Sequence, residues 1–481
     1  KIAVAKKTQT MVGINAFMYN NPIDNNKDGF TDLAIQNRIS LFNKWNFQRP
    51  NNKLLQLAGR FVHENRWGGQ MNWNKLYRGG DERYGESIYT NRFELFGTYQ
   101  LPTTENIQLQ FSANHHDQNS VYGNLPYLAK QSIAFAQLLW FKKKGRHDLL
   151  AGLTYRFNYY DDNTPATAGN SSVALNKPSI VHLPGIFLQN QLSITEKHAL
   201  LAGIRFDYNT IHGSILTPRL NYKWNSSSKN TIIRLGGGSG YRVAHVFTED
   251  HAALTGARTV IFKNDLKPEK SWNANANVVQ RFFVGNTLIQ LDGSLFYTYF
   301  TNKIIPDYET NPNQIIYDNL QGHSVSKGMS LNMDVKLPFG LTALVGATLM
   351  EVHSEENGIK ERQLFSERFT GTWNLTYSLT KWKIKLDYTG NVYSPMRLPL
   401  LNDLDPRPEF SPWWSIQNIQ LTKSIGKSWE IYGGVKNLLN WTPNKGIPFL
   451  IARANDPFDQ NVQFDANNQV IANSNNPYAL T

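Results

Sequence analysis

Three stretches of this 481-residue chain hold side chains that could do chemistry. In Ile23 to Asp32, the spacing Asp24, Asn26, Asp28, Gly29, Asp32 follows the first nine positions of a helix-flanked calcium loop, with the Phe30 carbonyl as a fifth oxygen. The twelfth position is Ile35 where a bidentate Glu belongs, and both flanks alternate like strands. A weak calcium site and a metal-free Asx-rich turn therefore both stand. His115, His116 and Asp117 have the ligand types for a transition metal, but adjacent strand residues point to opposite faces, which favours a polar cluster near a loop mouth. Gly236, Gly237, Gly238 and Gly240 are as glycine-rich as a phosphate cradle. They lie inside a strand pattern with no helix after them, so close backbone approach or a bulge is expected. No Ser/His/Asp order or pair of carboxylates stands out, and no catalytic centre is expected.

The elements that position these residues are legible from a two-residue period. In Leu55 to Phe61 and again in Leu149 to Tyr159, every second residue is apolar, aromatic or small, and the intervening ones are largely polar. About nineteen such segments are joined by connections of two alternating kinds. Short ones include residues 102–105, 194–197 and 337–340; long ones span 65–87, 117–128, 161–184, 243–270, 301–327, 351–367 and 394–413. Short turns alternating with long loops between strands of this length predict a transmembrane antiparallel β-barrel, with the long loops outside the cell. The segment Ile23 to Asp32 then falls in an external loop, where calcium is available and helices are not needed.

Composition bounds the rest. The chain has no cysteine, 12% aromatic and 18% charged residues, and a net charge of +12. Lys and Arg are scattered, with no basic helix or stripe, which argues against nucleic acid as a partner. No apolar run is long enough for a membrane-spanning helix, and no signal peptide begins at Lys1.

Thr217 to Trp224 (TPRLNYKW), Ile233 to Phe247 (IRLGGGSGYRVAHVF) and Leu266 to Val278 (LKPEKSWNANANV) follow one another, and Val435 to Trp441 reads VKNLLNW. This succession resembles the TonB-dependent outer-membrane receptor family, and residues 161–167 and 248–258 look like loops of its Bacteroidetes-type members. The resemblance implies a bacterial outer-membrane location and a barrel of 22 strands closed around an N-terminal plug. Residues 1–481 would be the barrel domain, with the plug and closing strands absent from the chain. Implied partners are the TonB complex acting through that plug, the lipid bilayer and lipopolysaccharide. Arg219, Arg234 and Arg242 are expected to face the lumen and to meet plug carboxylates.

On this reading the protein imports a ferric siderophore or a similar large, scarce ligand, with cobalamin and then haem as alternatives. A passive porin is the reading from another class. Candidate ligand-binding residues are Trp67, Trp73, Tyr77, Arg78, Tyr84 and Tyr122, with His245, His251 and Arg258 in the loop after Arg242. Rings and guanidinium groups suit flat or anionic ligands, although Tyr and Trp at strand ends also form an interfacial girdle. No cofactor is required beyond the calcium ion considered above.

Overall fold

A computed structural model of the chain describes residues 2–25, 27, 29–167, 176–249, 253, 259–308, 310–311, 314–400, 408–443, 463–464 and 470–471. One antiparallel sheet of 21 strands dominates it. Each strand pairs with the next in the chain, from Ile2–Ala5 to Trp429–Val435, so the sheet is a meander. Ile2–Ala5 is a four-residue edge strand, and Ile359–Arg362 shares its side of Leu341–Glu356 with Phe369–Leu379. Setting those two short pieces aside leaves the nineteen strands that the periodicity predicts.

Alternation in the sequence becomes two faces of the wall. Phe93, Leu95, Leu153, Ile186, Leu188, Leu220, Leu295 and Leu331 all lie on one face and are exposed. Such a surface would be untenable in water and forms the lipid-facing belt of a barrel. The opposite face carries Arg38, Arg60, Glu64, Arg92 and Glu94, tied by Arg60–Glu94 at 2.6 Å and Arg92–Glu94 at 2.7 Å. Charges on one face and bare hydrocarbon on the other fix that charged face as lumenal.

Several strands are much longer than a bilayer needs. Asn106–Tyr122 has 17 residues and Leu125–Lys144 has 20, against about 10 for a tilted membrane strand. Their outer halves therefore stand clear of the membrane, and several expected loops shrink. The expected loop 117–128 is a hairpin that turns at Gly123, whose φ of +60° suits glycine. His115 and His116 thus sit within a strand, where His115 Nδ1 meets Ser132 Oγ at 2.8 Å and His116 Nε2 meets Gln118 Oε1 at 3.2 Å. The alternation of long and short connections breaks at that hairpin and again farther along the chain. Between His198–Asn209 and Gly213–Asn225 the outer connection is a tight turn, in which Asn209 Oδ1 accepts the amides of Ile211 and His212.

Gly236, Gly237 and Gly238 keep unbroken register with both neighbours and Gly240 keeps it with Ser271, so the run is not a bulge. Close approach explains it: a Cβ on Gly238 would lie 2.9 Å from the Pro218 carbonyl, and one on Gly236 would lie 2.7 Å from Asn221 Oδ1.

Candidate functional site

A barrel wall one residue thick has no interior, so the apolar core of this protein lies elsewhere. Tyr122, Tyr127 and Ala129 project from the lumenal face and are buried against Val246, Phe247, Ala253, Ile315 and Tyr317 from two outer loops. Those loops share a small sheet, in which Thr259–Phe262 pairs in parallel with Gln314–Asn319, and Ile304–Asp307 pairs antiparallel to the latter. Phe262 stands edge-on to Phe247 and tilted to Tyr317, each at 6.0 Å between centroids. The loops thus fold inward, against the wall of the mouth.

What holds them there is polar. The buried carboxylate of Glu269 accepts from Arg242 Nε at 2.7 Å and from the Ile304 amide at 3.0 Å. Arg242 also reaches Glu249 at 2.6 Å, on the short helix Val246–Glu249. Two asparagines complete the clamp. Asn302 Nδ2 donates to the Pro268 carbonyl at 2.6 Å, while Asn319 accepts from the Lys267 amide at 2.7 Å and donates to its carbonyl at 2.9 Å. Lys267, Pro268 and Glu269 therefore anchor both loops. Arg242 does face the lumen, but its partners are carboxylates of the barrel's own loop and neighbouring strand.

Beside this clamp lies a second buried network. Tyr127 and Tyr160 hydroxyls meet at 2.9 Å, Tyr160 donates to Asp162 at 2.5 Å, and the other Asp162 oxygen accepts from Thr164 and Thr167 at 2.8 Å. The His245 ring lies 5.2 Å from that of Tyr160. Burial holds the His245 imidazole below its usual pKa, with Arg156 acting in the same sense and Glu249 and Asp162 opposing. A neutral imidazole beside acids, arginines and tyrosines can accept or donate one hydrogen bond to a ligand, or bind a borderline transition metal.

Deeper in the lumen the wall is rich in guanidinium and amide groups. Arg205 holds Asp207 at 2.6 Å, Arg234 donates to Asn277 at 2.8 Å, and Arg219 lies on the same face opposite Gly238. A lumenal cavity of about 1130 Å³ is bounded by Arg146, Lys223, Arg234, Asn221, Asn275 and Asn277, among others. Planar guanidinium groups and amides are well matched to anionic, oxygen-rich ligands.

The predicted ligand residues do not form one cluster. Trp67 and Trp73 meet at 4.8 Å between ring centroids, tilted by 36°, with Trp73 buried, and Gly85 is required there because a Cβ would run into Trp73 Nε1. Trp67 shares the outward face of its strand with Phe61 and Leu57, so this pair belongs to the outer rim. Arg78 is on that side too, bonded to Ser87 Oγ at 2.7 Å and Asn119 Oδ1 at 2.7 Å. Tyr77 carries Arg83 over its ring at 4.4 Å. Tyr84 donates to Glu86, on the lumenal side, and Tyr122 is committed to the loop core. His245 stands in the mouth, whereas His251 and Arg258 lie outside the described residues.

In the Asp24–Asp32 turn, Asp24 Oδ2 accepts the Gly29 amide at 3.0 Å and Asp32 Oδ2 accepts from Asn25 at 2.8 Å, through both its backbone and side-chain nitrogens. Phe30 bridges to Gln70, and Asn26 and Asp28 lie outside the described residues. Among the described residues no group of three or more His, Asp or Glu side chains is placed to hold a metal.

Residue-by-residue reading missed the Glu269 tie. Its signal was present, since Arg242 lies in one quoted segment and Glu269 in the next, but only strand pairing brings the two together.

Comparison with known proteins fits this architecture. A search of curated proteins finds no match. Among solved structures, the siderophore receptor PirA from Acinetobacter baumannii superposes with a TM-score of 0.66 at 12% identity, over 91% of this chain and 72% of that one. The FrpB iron transporter from Neisseria meningitidis gives 0.66 at 12% identity, over 91% and 74%. A variant of the ferric enterobactin receptor from Pseudomonas aeruginosa gives 0.63 at 12%, over 91% and 70%. At such identity these likenesses establish the fold alone. The sequence model described as TonB dependent receptor-like, beta-barrel matches residues 5–438, and the chain therefore belongs to that family of outer-membrane receptors.

Proposed function

We propose that the protein is an active outer-membrane transporter for a ferric siderophore or a comparably large anionic chelate, with cobalamin and haem as less favoured cargoes. The observation that carries this reading is the lumen itself. Its wall presents Arg205, Arg219 and Arg234 with amides beneath an inward-folded mouth that holds Arg242 and His245. That chemistry attracts negative charge and hydrogen-bonds oxygen-rich groups, which suits binding and transport. Proteins of similar fold include a siderophore receptor and an iron transporter, which supports the same cargo class. Energy would reach the ligand through the TonB complex and a plug segment. The test is binding of ferric siderophores, cobalamin and haem to the intact protein side by side. Saturable binding of a ferric chelate alone supports the proposal, and binding of none of the three overturns it.

The same proposal gives the Asp24–Asp32 turn a structural calcium ion that stiffens the loop. What supports it is Asp24 Oδ1, which is buried and has no hydrogen-bond partner. Calcium titration of the wild type against Asp28→Ala tests it, and identical thermal stability in both would overturn it.

A further inference from the structure

Gly236, Gly238 and Gly240 alternate along Thr231–Arg242 on the face that carries Arg234 and Arg242, while Leu235 on the opposite face is exposed in the apolar belt. The three glycines leave a strip of lumenal wall about 14 Å long without side chains of its own. It starts below the Arg242 clamp at the mouth and ends at Arg234. Register sets Arg219, Asn221 and Lys223 along one side of it, opposite Gly238, Gly236 and Arg234, and Asn273, Asn275 and Asn277 along the other.

Two carboxamides converge over this strip. A Cβ on Gly236 would lie 2.7 Å from Asn221 Oδ1 and 2.9 Å from Asn275 Oδ1, and neither amide has a hydrogen-bond partner among the described residues. Arg219 and Lys223 are exposed and equally unengaged among those residues, whereas Arg60, Arg92 and Arg205 elsewhere on the lumenal face each touch a carboxylate. Arg234 donates to the neutral amide of Asn277. The cavity at the foot of the strip sets Arg146, Lys197, Lys223 and Arg234 against the carboxylate of Glu196. Asp292, which accepts from Asn277 at 2.6 Å, adds a second negative charge nearby and leaves the balance positive. Unengaged amides beside unpaired cations suit an oxyanion: amide nitrogens, ammonium and guanidinium all donate to it, and a cationic ligand is repelled.

We propose that the glycine strip is the route by which an anionic cargo descends, and that Arg219, Lys223 and Arg234 with Asn221 and Asn275 form a second anion site on it, separate from the mouth. The route rests on the transport reading, but the anion site is testable apart from it. The chain has no cysteine, so Asn275→Cys places a unique thiol at the site. In the intact, detergent-solubilised protein, anionic sulfonatoethyl methanethiosulfonate should modify that thiol about tenfold faster than cationic trimethylammonioethyl methanethiosulfonate, each rate being scaled to its reaction with a free thiol. Adding Arg219→Ala and Lys223→Ala should cut the preference below about threefold, and Arg219→Lys with Lys223→Arg should keep it. Equal scaled rates, or a preference that survives the double alanine change, would overturn the site. In cells, Arg219→Ala with Lys223→Ala should bind ferric enterobactin at the mouth within about twofold of the wild-type affinity and import it at least about tenfold more slowly. Gly236→Leu should act in the same way by filling the strip, since its Cβ meets amide ends that can turn aside. Wild-type import by both variants would overturn the route. An anionic preference at Asn275→Cys in a protein that neither binds nor imports the chelate would support the site and count against the transport reading alone.

Discussion

Glu269→Ala should loosen the inward-folded loops while leaving the barrel intact. The Glu269 side chain is 6% exposed, and its removal leaves the Ile304 amide without its acceptor, a loss of about 1–3 kcal/mol. The ion pair with Arg242 adds less, because that arginine is 54% exposed and solvent screens it; about 1 kcal/mol is an upper figure. A combined cost of about 2–3 kcal/mol corresponds to roughly a 30- to 150-fold larger open population of the loop sheet. Hydrogen exchange on the intact protein reads this directly. Amides of Ile304–Asp307 and Gln314–Asn319 should exchange faster by that factor, while those of wall strands such as His198–Asn209 should not change. Glu269→Gln retains an acceptor for Ile304 and should accelerate exchange less than about tenfold. Unchanged loop exchange in Glu269→Ala would show that the apolar core and the two asparagines hold the loops without it and would refute the tie.

Gly238→Ala places a Cβ 2.9 Å from the Pro218 carbonyl, a backbone atom that cannot swing aside, and should lower unfolding stability by about 1–3 kcal/mol in chemical denaturation. His245 is held below its ordinary pKa by burial, so the unfolded state binds the proton more tightly than the folded loop does. Loop stability should therefore fall as pH drops below about 6.5, and His245→Gln should abolish that slope in hydrogen exchange measured from pH 7.5 to 5.5. Addition of calcium should raise the thermal midpoint of the wild type and not that of Asp28→Ala, with chelator reversing the shift.

The sequence made the wall legible because lipid on one side and a polar lumen on the other impose a strict period of two over long segments. Phe93 and Leu95 alternating with Arg92 and Glu94 is enough to assign both faces. Loop geometry was far less legible. Where a strand runs on above the membrane, as Asn106–Tyr122 does, polar residues replace apolar ones on its outward face and the segment reads as a loop. The Thr210–His212 turn escaped notice because Asn209 and Gly213 can close a turn without any long insertion. Aromatic and arginine residues near the outer strand ends were visible as types, but only the folded strands show that Trp67 and Arg78 face outward while Tyr122 faces in. The Arg242–Glu269 contact, 27 residues apart, depends on the pairing of adjacent strands and carries no local signature.

Energy-dependent uptake tests the central claim most directly. Cells expressing the intact protein should accumulate a labelled ferric siderophore against its gradient, and collapse of the inner-membrane proton gradient should stop that accumulation. Uptake that continues at the same rate after collapse, or that shows no saturation with ligand, would identify a passive pore and contradict the account.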